Sequence, residues 1–100
     1  MNVEEAVAAV TDGADKLLSC LGQPFVAYHV TRIMREVDVG HAHEMQQEFL
    51  ERNVETLVLE GFEDAAAARF ASLLNHRVDL AWQRLHSPEA LDTGQRRSAA

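Results

Sequence analysis

Apolar residues recur along this chain at helical spacing in four blocks, and glycines separate the blocks. In the first, Val3, Ala6, Val7, Val10, Ala14, Leu17, Leu18 and Leu21 step by three and four residues. At about 100° per residue these side chains gather into one arc of about 120°, with Glu4, Glu5, Asp12, Asp15 and Lys16 on the remainder. Asn2 followed three residues later by Glu5 has the form of a capping box, so the pattern predicts a helix over about 2–21. Gly13 inside it weakens the helix by roughly 1 kcal/mol against Ala.

Gly22-Gln23-Pro24 reads as a turn, with Pro24 suited to a helix start because its missing N–H would have no partner there. The second block, about 24–39, carries Val26, Val30, Ile33, Met34 and Val37 on its inner face. Gly40 then ends this helix or bends it. The third, about 41–60, buries Met45, Phe49, Leu50, Val54 and Leu57. Leu59 and Phe62 fall outside that arc, around Gly61, where they would cap the core or meet a partner. The fourth, about 63–86, has Ala67, Phe70, Ala71, Leu74, Val78, Ala81, Trp82 and Leu85 on its main face. A second apolar line, Ala66, Leu73 and Leu80, repeats every seven residues roughly 120° away. Gly22, Gly40 and Gly61 are each placed to supply the left-handed residue that closes a helix.

No stretch alternates apolar and polar residues as a half-buried strand would. The expected fold is therefore all-α: four helices in an antiparallel bundle or two stacked helical hairpins, assembled as a dimer. Residues 1–86 form the expected domain, and the small, polar, mixed-charge stretch 87–100 reads as a flexible tail.

The length of 100 residues allows one domain, and a chain this short buries only about 60–65% of its extended surface, which makes self-association a natural source of stability. Nine basic against 16 acidic residues give a net charge of −7, which disfavours nucleic acid and anionic membranes as partners. The charge is uneven: residues 1–22 carry four acidic and one basic residue, residues 41–61 five and one, and the rest is neutral. One cysteine, Cys20, excludes an intrachain disulfide and fits a reducing compartment. Glu4 and Glu5 stand where a signal peptide would be basic, so a cytoplasmic location is expected. Eight arginines against one lysine, with many alanines, are the composition of a GC-rich genome, bacterial or phage.

Candidate chemistry is sparse. His41-Ala42-His43-Glu44, with His29 and Glu36 upstream, offers the ligand types of zinc and non-haem iron. The spacing opposes that reading, because neither Glu-x-x-His nor His-x-x-x-His occurs, and Gly40 interrupts the seven-residue series His29, Glu36, His43. Histidines at an exposed helix start are the simpler account; a metal protein or metal-dependent enzyme would need these ligands assembled from two or more chains. No phosphate-binding glycine loop, Cys-x-x-Cys or nucleophile elbow is present, so no catalytic residues and no cofactor are expected.

Glu44, Glu48, Glu51 and Glu55 step down one side of the third helix as a stripe of carboxylates. It is a solvated face or, more sharply, a docking surface for a basic partner, which would make the protein an acidic regulator occupying a basic site. The leading expectation is a non-catalytic module that self-associates and binds another protein, with Leu59, Phe62, Ala66, Leu73, Leu80 and Trp82 as its seam.

Overall fold

The computed structural model describes residues 1–11 and 16–86. They form five helices, α1 Val3–Thr11, α2 Lys16–Leu21, α3 Gln23–Arg35, α4 Val39–Leu59 and α5 Asp64–His86, and no strand is found among the described residues. The class is all-α. The helix expected over 2–21 is two helices, α1 and α2, flanking residues 12–15; Gly13, Ala14 and the expected tail 87–100 lie outside the described residues.

The helix ends follow local chemistry. The Asn2 carboxamide oxygen accepts the Glu5 N–H at 2.7 Å and starts α1, as the capping pattern implied. Gly22 serves two helices at once: its N–H donates to the Leu18 carbonyl at 3.0 Å and its carbonyl accepts the Val26 N–H at 3.1 Å. Its φ of 85° is open to glycine at little cost. At Gly61, φ 101°, the Phe62 N–H reaches the Leu57 carbonyl and the Gly61 N–H the Val58 carbonyl, the paired bonds of a Schellman motif. Phe62 folds back against the core there.

Gly40 neither ends nor kinks a helix. The helix α3 stops at Arg35, and α4 starts at Val39 because the Asp38 carboxylate accepts the His41 N–H at 2.8 Å as an N-cap. Gly40 therefore lies within the first turn of α4. The periodicity ran across this junction because Val37 continues the apolar spacing of Ile33 and Met34, yet Val37 is 77% exposed in the linker.

Central to the packing is α3, which touches each of the other four helices. Its Val26, Val30, Ile33 and Met34 are buried to 1% exposure or less. The long helices α4 and α5 form a hairpin about Gly61, α1 packs on α3 and α5, and α2 packs on α3 and α4. Against α4 the inner row is Ala42, Gln46, Phe49, Asn53 and Leu57; Met45, Leu50 and Val54, expected to be buried, are half-buried at its borders. Two amides thus sit where apolar side chains were expected. Asn53 is 0% exposed.

The C-terminal end of α3 is completed from α5. Its last carbonyls have no partners within the helix. The Trp82 indole N–H donates to the Glu36 carbonyl at 2.8 Å, and His86 Nε2 lies 2.7 Å from the Met34 carbonyl, to which it donates. The two rings stack at a tilt, 4.5 Å between centroids.

Candidate interaction surface

The outward faces of the α4–α5 hairpin carry the features that packing does not consume. On α5, Leu73 and Leu80 are 62% and 43% exposed, seven residues apart on one line with half-buried Ala66. At about 100° per residue, Arg69, His76, Arg77 and Arg84 all fall within about 60° of that line. Arg77 is engaged within the chain, its guanidinium donating to the Ala9 carbonyl of α1 at 2.7 Å. Among the described residues, Arg69, His76 and Arg84 have no hydrogen bond or ion pair.

On α4 the carboxylates Glu44, Glu48, Glu51 and Glu55 are all exposed on one stripe, and among the described residues only Glu48 of the four is paired, with Arg52 Nε at 3.2 Å. An exposed i, i+4 pair of this kind contributes about 0.3–0.5 kcal/mol. Beyond Glu55 the stripe runs into Val58 and Leu59, the latter 87% exposed. These two join Val54, Glu55, Asp64 and Ala68 in lining an open groove of about 630 Å³ beside the turn.

The remaining residues singled out in the sequence are placed elsewhere. Trp82 is in the core of its own chain, clasping α3, and Phe62 caps the same core. Of the histidine and carboxylate set, the structure brings together only His41 and Glu36, with Nδ1 3.2 Å from Oε2; the same Glu36 carboxylate accepts the Asp38 N–H at 3.1 Å. His43 and Glu44 point away on the exposed surface. His29 lies instead against the rings of Phe25 at 4.5 Å and Phe49 at 5.6 Å. Burial pushes its pKa down, and the neighbouring Arg32 and Arg52 push the same way against Glu48, so the imidazole is neutral at pH 7. Among the described residues no three His, Cys, Asp or Glu side chains are placed to hold a metal ion. Cys20 is a free, half-buried thiol. None of the helices among the described residues is long and apolar enough to cross a membrane.

The buried amides were missed by the pattern of apolar residues, although a signal was present. Gln46 and Asn53 fall at the centre of the arc spanned by Met45, Phe49, Leu50, Val54 and Leu57, so any helix burying that arc must bury them too. Gln46 Nε2, both Asn53 side-chain atoms and Asn75 Oδ1 are enclosed without a hydrogen-bond partner.

Compared with protein-family models, curated proteins and solved structures, the chain matches none.

Proposed function

We propose that this chain is a non-catalytic interaction module that self-associates as a homodimer and acts by binding another protein. The observation that carries the reading is the Leu73–Leu80 line: two large apolar side chains, two turns apart on one helix face, remain exposed after the core has closed without them. Exposed apolar side chains are stabilised when another surface covers them. Leu59 and Val58 extend the apolar surface at the other end of the hairpin. The chain works in the cytoplasm, where a free thiol such as Cys20 persists.

Self-association is tested directly by sedimentation velocity on the purified chain at tens of micromolar. A dimer is expected, and Leu73→Ser with Leu80→Ser in one chain shifts it to monomer while leaving the helical circular dichroism intact. A strict monomer over the whole concentration range removes the proposal.

A further inference from the structure

Counting outward from the Gly61 turn sets four buried residues of α4 level with four of α5: Leu57 with Ala67, Asn53 with Ala71, Gln46 with Val78 and Ala42 with Trp82. The same count on the outer faces sets Glu55 level with Arg69, Glu51 with Leu73, Glu48 with His76 and Glu44 with Leu80. One helix thus presents a ladder of carboxylates at the heights where the other presents Arg69, His76 and two leucines.

Two copies of such a hairpin can meet face to face in two symmetric ways. A two-fold axis across the helices lays α4 on α4 and α5 on α5, which sets carboxylate against carboxylate and arginine against arginine. An axis parallel to the helices keeps every height and exchanges α4 for α5. Glu55 then faces Arg69 and Glu48 faces His76, with leucines opposite Glu51 and Glu44, and like charges face to face are disfavoured. The charge pattern selects the second arrangement.

Resting on the self-association proposed above, we infer that a second copy of this chain covers the outer face of the α4–α5 hairpin through a two-fold axis parallel to its helices. In this arrangement Glu55 meets the second copy's Arg69 and Glu48 meets the second copy's His76. Leu73 and Leu80 lie along the aliphatic stems of the second copy's Glu51 and Glu44. Every contact occurs twice, once in each direction.

Sedimentation velocity on three variants tests the arrangement. Arg69→Glu and Glu55→Arg each place like charges together at two symmetric points and weaken the dimer by about tenfold. Combined in one chain, the two reversals recreate the pairing with its polarity exchanged, and the dimer returns to near its original strength. Both sites are exposed, so the thermal melts of the three variants stay close to that of the unaltered chain. A dimer that is indifferent to, or tightened by, the single reversals overturns this arrangement while self-association stands. A chain that is monomeric before any substitution overturns both.

Discussion

Replacing Asn53 by leucine should stabilise the protein. Asn53 is 0% exposed, and neither its Oδ1 nor its Nδ2 has a hydrogen-bond partner. A buried polar group left unpaired costs about 1–3 kcal/mol relative to its hydrated state. Leucine has the same number of side-chain heavy atoms and no polar ones, so it removes that cost and adds apolar contact with the core around Phe49 and Leu57. The net expectation is a gain of about 2 kcal/mol, the middle of that range. For a domain of this size it raises the melting temperature by roughly 8–16 °C, at about 4–8 °C per kcal/mol. Urea unfolding followed by circular dichroism at constant m should show the midpoint rising by roughly 1 M. Asn53→Val, which is smaller, controls for the tetrahedral leucine being too bulky for a planar amide's site. If both variants lose about 1 kcal/mol or more, the Asn53 amide is hydrogen-bonded in solution and the reasoning fails.

Two further predictions concern turns and protonation. Gly40→Ala should add about 0.4–1 kcal/mol, because the residue sits in a helical turn and the new Cβ meets only Asp38 Oδ2 at an ordinary 3.5 Å; Gly61→Ala should lose about 1–2 kcal/mol to its φ of 101° although nothing lies within 4 Å, and thermal melts of opposite sign check the pair. His29 is held below the ordinary histidine value of 6.5, so the unfolded chain binds its proton first: its contribution is complete above pH 6.5 and is lost as the pH falls toward the folded-state value, and His29→Gln should flatten the stability profile between pH 7 and 5.

Most of the fold was legible because helical periodicity reports burial directly. The arcs of the first and last blocks coincide with Ala6, Val10, Leu18 and Leu21 and with Ala67, Leu74 and Val78 in the core. What was not legible depends on short-range competition that periodicity ignores. At the α3–α4 junction, an aspartate cap at Asp38 outcompetes a glycine stop at Gly40 two residues later, and the apolar Val37 is left outside. Along α4, chemical type pointed outward for Gln46 and Asn53 while helix geometry turned them in, since a side chain's direction is fixed by its register and not by its polarity. The exposed leucines of α5 were visible as a second line, but only the packed helices show that Leu73 and Leu80 stay exposed among the described residues.

The clasp that Trp82 and His86 make on the end of α3 also sets an order of events during synthesis. The groups that satisfy the Met34 and Glu36 carbonyls are added 52 and 46 residues after the helix they complete. At about 5–20 residues per second, α3 spends roughly 3–10 s without α5, one of the four helices it packs against. Contacts so distant in sequence also slow folding once the chain is complete. The nascent chain therefore carries a sticky helix through about half of its own translation, and a cell making this protein at high rate must shield α3 or tolerate its association with other chains until residue 86 emerges.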